Sequence, residues 1–189
     1  MIQEESMRYF ALIFSALLAA TSAALSAAAP AAVWTEYLYL DKGVAIQFPA
    51  RPTVSTANYP SILVKGLKAD VYSLTFDNVQ YKLTAVDLAG HNEAGVNFVN
   101  EAAYNLMREG EVIFTDFPRV YQDEKSVFGV TLVFDRPDGR RQRTSLYYNK
   151  GRLYLADAIV LPARGDKDMT TPSRFDQTIR FPPDGRFDK

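Results

Sequence analysis

Apolar and polar residues alternate with a period of two across 69–88. In "DVYSLTFDNVQYKLTAV", Tyr72, Leu74, Phe76, Val79, Tyr81 and Leu83 fall on one face, while Ser73, Thr75, Gln80, Lys82 and Thr84 fall on the other. That is the pattern of a half-buried antiparallel pair. Asp77 and Asn78 form its two-residue loop, because both residue types tolerate left-handed backbone. Runs of the same kind predict strands at 35–40, 44–48, 69–76, 79–88, 111–115, 125–135, 140–148 and 152–160. Three other loops, "LDKGV", "RPDGR" and "YNKGR", place glycine third of three, the signature of a type I turn closed by a left-handed glycine.

A helical period appears in "GVNFVNEAAYNLMREG", where Val99, Ala102, Ala103 and Leu106 make a narrow apolar stripe and Gly110 supplies a stop. A shorter helix is predicted in "TTPSRFDQTI", capped by Thr171 with Pro172 in its first position. No fixed-period repeat or linker follows residue 32. The elements therefore describe one α+β domain over 33–189, a largely antiparallel sheet with helices packed on it.

The loop assignments set a register for the basic stretch "RPDGRRQRTSLYYNKGRLYLADAIV". With Pro137-Asp138-Gly139 as a loop, Arg136 faces Arg140, Asp135 faces Arg141, and Val133 faces Arg143. With Asn149-Lys150-Gly151 as another, Arg143 faces Asp157. Phe128, Val130, Leu132, Phe134, Leu146, Tyr148, Tyr154, Ala156, Ala158 and Val160 then share a core face. The opposite face pairs two arginines with two aspartates, so the basic residues do not form one patch. What remains is a tip, Arg136 and Arg140, balanced only by Asp138. Tyr147 also stands on the charged face, beside Leu153, Leu155 and Ile159. A helix over that apolar area gives a sheet covered on both sides; a bare one gives a binding surface. Arg136, Arg140 and Tyr147 are the candidate interaction residues.

Charge and composition change this picture at the N-terminus. Arg8 is followed by an uncharged run, residues 9–33, whose first half is apolar and whose second half is small. That describes a secretory signal peptide over 1–31, with Met7 as the initiator and cleavage after Ala28 or Ala31. The alternative is an uncleaved inner-membrane anchor. Removing the leader takes Arg8 from 21 basic residues and Glu4 and Glu5 from 22 acidic ones, leaving twenty of each. A neutral domain argues against nucleic acid as a partner. The chain has no cysteine, which excludes disulfides, a lipid-anchored cysteine and a thiol nucleophile.

Little here reads as chemistry. His91 is the only histidine. With Asp87 and Glu93 it makes a weak metal set, and it lacks the second histidine usual for zinc. No G-x-S-x-G context supports a serine nucleophile, and Ser126 and Ser145 sit in predicted strands. Asp123 and Glu124 read as a solvated turn rather than an acid–base pair. The glycines are scattered singly, so no phosphate loop and no cofactor is implied.

The order of elements resembles a known family. "GVAIQFPARPTV" after an opening hairpin, a Tyr-rich hairpin, one helix, a three-strand meander with "GRLYLADAIV" and a terminal "RFDQTIRF" are similar to small exported bacterial domains of unknown function in the PsbP-like superfamily. The resemblance implies an α/β/α sandwich around an antiparallel sheet and an accessory or binding role. It carries no active site onto these residues. The expectation is an exported, non-enzymatic interaction module, periplasmic or secreted, whose partner is an envelope protein. The alternatives are a small-ligand carrier with a pocket between sheet and helix and, third, an unrecognised hydrolase.

Overall fold

The computed structural model describes residues 32–88, 90–122, 125–161 and 170–182. The leader and the Asp123-Glu124 pair lie outside them. In chain order the strands are β1 (Thr35–Tyr39), β2 (Val44–Phe48), β3 (Thr53–Asn58), β4 (Lys68–Phe76) and β5 (Val79–Asp87). They continue with β6 (Glu111–Asp116), β7 (Arg119–Gln122), β8 (Lys125–Asp135), β9 (Arg141–Asn149) and β10 (Arg152–Val160). Helix α1 spans Gly95–Met107 and α2 spans Thr170–Gln177. Eight strands form one sheet in the order β3-β4-β5-β10-β9-β8-β6, with β7 also on β8. Every pairing in it is antiparallel.

Both faces are covered, as the α/β/α expectation required. On one face α1 presses Phe98, Val99, Ala102, Ala103 and Leu106 against Leu132, Phe134, Leu146 and Leu153. On the other, α2 shares the cover with the separate β1–β2 hairpin. Phe175 of α2 sits 4.9 Å from Phe48 and 5.3 Å from Tyr81, ring centre to ring centre. Phe181 closes the same layer over Tyr147 and Tyr154. The segment after α2 is tied to β2 through Ala45 and Arg180, which exchange backbone hydrogen bonds of 2.8 and 2.9 Å.

The register departs from expectation at one loop. Asp77 and Asn78, both at positive φ, and the loop Pro137-Asp138-Gly139 are as the sequence implied, so Asp135 pairs with Arg141 and Val133 with Arg143. The next loop, however, is the two residues Lys150 and Gly151, at φ 44° and 78°, and Arg152 pairs with Asn149. Arg143 therefore faces Ala158, not Asp157. A slip of one residue moves a whole strand's side chains to the other face. Tyr154, Ala156, Ala158 and Val160 join Tyr147 under α2, while Leu153 and Leu155 join Leu146 under α1.

Smaller differences have equally local causes. The first hairpin loop is four residues long, since Tyr39 pairs with Val44, and its glycine, Gly43, stands fourth at φ 66°. Helix α1 ends at Met107 without a left-handed glycine. Gly110 instead lies where the chain passes the Asp135 carbonyl, and any Cβ there would collide with it. Helix α2 already includes Thr170 and Thr171, so Thr171 is not its cap and Pro172 is not its first residue. Strands β3 and β7 were not anticipated. β3 is exposed along its whole length and β7 has four residues, so neither carries the one-sided pattern that marks a half-buried strand.

Candidate functional site

Tyr147 is core, not surface. Only 2 % of it is exposed, and its ring packs against Phe181. Burial raises its phenol well above the ordinary range, with the nearby Asp176 carboxylate adding to the effect. Arg136 and Arg140 do flank the β8–β9 loop, but they are matched by two carboxylates. Arg140 donates to Asp138 through Nε at 2.8 Å, and this holds the Asp138 carboxyl down at about 2. Arg136 donates through Nη1 to Glu109, at 2.6 Å, and to Gln142, at 2.7 Å. Glu109 lies just beyond α1, so the tip is tied to the helix rather than left as two like charges.

The other arginines hold the sheet and its cover together. Arg141 meets Asp135 across β8–β9, as expected, at 2.7 Å. Arg143 makes two parallel bonds, 2.7 and 2.9 Å, to Asp176 of α2 instead of reaching Asp157. Ser145 donates to the same carboxylate at 2.6 Å and accepts from Thr131 Oγ1, also at 2.6 Å. Asp176, Ser145 and Thr131 are buried and Arg143 is largely covered, so the polar set pins α2 to the sheet.

Helix α1 covers only the middle of its face, and an opening remains at each end. Beneath its C-terminal half lies a cleft of about 310 Å³, bounded by Ala102, Asn105, Leu106 and Glu109 of the helix side and by Tyr59 and Pro60 of the β3–β4 connection. Its sheet floor mixes apolar Val71, Leu155 and Ile159 with Lys82, Thr84, Gln142 and Asp157. Asp157 is buried, accepting from Thr144 Oγ1 at 2.6 Å and from Gln142 Nε2 at 3.2 Å. The Lys82 ammonium is 3.0 Å from its second oxygen. Glu101 fixes the cleft's outer wall by accepting from Ser61 Oγ at 2.6 Å and from the Ile62 backbone. Burial, followed by the Glu101 and Asp157 carboxylates, pushes the Tyr59 phenol up to about 12, so it stays protonated at neutral pH.

At the other end of α1 is an open groove of about 500 Å³. It is lined by Val96, Val99, Val127, Phe128, Val130 and Tyr148, with Lys125 and Lys150 at its rim. The lining is more apolar than that of the cleft because here the sheet face has run past the start of the helix. Gly95 sets that start, since any Cβ there would collide with the Tyr148 ring. Val96, Phe117, Tyr121 and Phe128 are each between 67 % and 74 % exposed. Arg119 joins two of them, its guanidinium 4.9 Å from the Tyr121 ring centre and 5.3 Å from that of Phe128. Sequence reading missed this surface because Phe128 was counted with the core face and β7 was not foreseen.

The residues considered for chemistry are dispersed. His91 is exposed, its backbone N–H donating to the Leu88 carbonyl at 2.8 Å. Ser145 is engaged by Asp176, and Ser126 accepts from Arg119 Nε at 2.6 Å. Among the described residues no three His, Cys, Asp or Glu side chains are placed to share a metal ion.

These layers define an α+β protein built on a twice-covered antiparallel sheet. No family model and no curated protein matches the chain. Among solved structures, its fold is similar to that of cyanobacterial PsbP (CyanoP) from Synechocystis, at 13 % identity and a TM-score of 0.48, over 79 % of this chain and 93 % of that one. It is also similar to PA94, a Pseudomonas aeruginosa protein of unknown function, at 8 % identity and a TM-score of 0.34, over 69 % and 84 % of the two chains. The antiparallel sheet with helices packed on it that the sequence led us to expect is the one found. The likeness is one of fold, and no residue role passes across it.

Proposed function

We propose that the chain is an exported, non-enzymatic accessory module that binds an envelope protein through the apolar groove at the start of α1. The observation that carries this reading is the exposure of Val96 and Phe128 on one groove, with exposed Tyr121 joined to Phe128 through Arg119. Large apolar side chains left bare together mark an interaction surface more often than scattered ones do. The groove supplies a pocket for an anchoring apolar side chain, and the Arg119-stacked aromatics supply the rim. Export rests on the leader pattern of residues 1–31. Among the described residues, no helix is long and apolar enough to cross a membrane.

A photo-crosslinking residue at position 128, introduced in the native host, tests the surface. One defined envelope protein should be captured there and not from position 56 on the far edge strand. Phe128→Glu and Val96→Glu should each abolish co-purification of that protein while leaving the circular dichroism spectrum unchanged. Capture that survives both substitutions, or is equal from position 56, would overturn the assignment.

A further inference from the structure

The cleft under the other end of α1 is built differently, and its construction points to a second binding site. Where the helix lies directly on the sheet, the floor is Leu132, Leu146 and Leu153. Two to four residues further along the same strand faces, the floor becomes Thr144, Gln142 and Asp157, all buried. Burying a carboxylate is costly unless partners replace its water, and an apolar residue would serve packing alone at least as well. The replacement here is incomplete. One oxygen of Asp157 is satisfied by Thr144 and Gln142. The other, Oδ2, is met by the Lys82 ammonium, 3.0 Å away, and has no further hydrogen-bond partner among the described residues. A carboxylate oxygen has more than one acceptor site, so a ligand hydroxyl can add to this pair. Lys82 covers that oxygen from the side of the cleft. It is 36 % exposed and ends a flexible stem, so a small shift admits a ligand group beside the pair without breaking it.

The charges around the cleft cancel. Lys82 and Arg136 are met by Asp157 and Glu109, each within an ion pair. An anion would have to displace carboxylates and a cation would have to displace ammonium or guanidinium groups. A neutral molecule that donates and accepts at adjacent positions meets no such penalty. Val71, Leu155 and Ile159 with Tyr59 and Pro60 offer apolar surface beside these polar groups. Hydroxyl groups on a compact hydrocarbon frame fit both halves of that lining. A hydroxyl can donate to Asp157 Oδ2 while a neighbouring oxygen accepts from Lys82, and C–H faces pack on the aliphatic wall. The volume, about 310 Å³, is at the small end for ligand pockets. We infer that this cleft binds an uncharged polyhydroxylated molecule of about one sugar ring, held by Asp157, Lys82, Gln142 and Arg136 and flanked by Tyr59. The site is separate from the apolar groove, and neither assignment depends on the other.

Amide chemical-shift mapping of the folded domain with glucose, galactose and mannose as probes tests this, beside glutamate and putrescine as charged probes. At least one neutral sugar should give saturable shifts centred on Tyr59, Lys82, Gln142 and Asp157. Its dissociation constant should rise at least tenfold in Tyr59→Ala and in Lys82→Met. Tyr59 is at the wall and Lys82 is a part-exposed residue of the floor, and retained dispersion of the remaining amides checks the fold. Three results would each overturn the inference: tighter binding of a charged probe in the cleft, saturable sugar shifts that map elsewhere or persist in both variants, or no saturable shifts with any sugar.

Discussion

Gly151 occupies the second place of a two-residue loop at φ 78°, and a Cβ there would stand 2.6 Å from the Asn92 side-chain oxygen. Backbone strain and that contact act together, so Gly151→Val should destabilise the domain by about 1–3 kcal/mol, read from urea midpoints. A neutral result would mean that neither loop geometry holds at Gly151. The glycine itself was legible, but its place in the loop was not. "YNKGR" fits glycine third of three or second of two, and both need positive φ at that residue. The choice is made by what the strands bury, because only the shorter loop puts both Tyr154 and Tyr147 under α2. The same limit explains Arg136. Its partner Glu109 is distant in sequence, so local reading left the arginine with Asp138 alone.

Of the two α-helices, α2 has the fewer described residues and depends more on a polar attachment. Its eight residues are too few to be stable alone, so its order comes from Phe175 and from Asp176 bound by Arg143 and Ser145. Removing one partner of a buried ion pair leaves the other charge unsatisfied. Asp176→Ala should therefore cost roughly 3–5 kcal/mol in chemical denaturation. The double variant Arg143→Met with Asp176→Leu should recover most of that loss, since it removes both charges. If the double variant is no better than the single one, the pair is not what holds the helix down. The helix was visible in sequence through Thr171 and Pro172, whereas its anchor was assigned to Asp157. Edge strands were the least visible elements. β3 shows polar residues on both faces because neither face is buried, so no alternation was available to read.

For the molecule as a whole, the two-layered cover was legible because strand periodicity counts the apolar faces, and two apolar faces demand two covers. The openings at the ends of α1 were not, since they depend on how far a helix reaches across a sheet. That same cover makes the domain a store of buried phenols. Burial pushes Tyr81 and Tyr154 each up to about 12, with the Asp77 carboxylate adding to the effect at Tyr81. A phenol in the unfolded chain ionises near pH ~10. Between these values the folded state holds a proton that the unfolded state gives up. The stabilisation is therefore complete below about pH 10 and falls as pH rises toward 12, by up to ~1.4 kcal/mol per pH unit for each such group. Tyr81→Phe keeps the ring in the cluster with Phe175 and Trp34 but has nothing to ionise. Its stability at pH 7 should stay within ~1.5 kcal/mol of the parent, as for a volume-conserving change. Its decline from pH 10 to 12, followed by urea midpoints, should be shallower than the parent's by up to one phenol's share. Equal slopes would mean that Tyr81 reaches solvent before the domain unfolds, and that the α2 side of the sheet opens on its own.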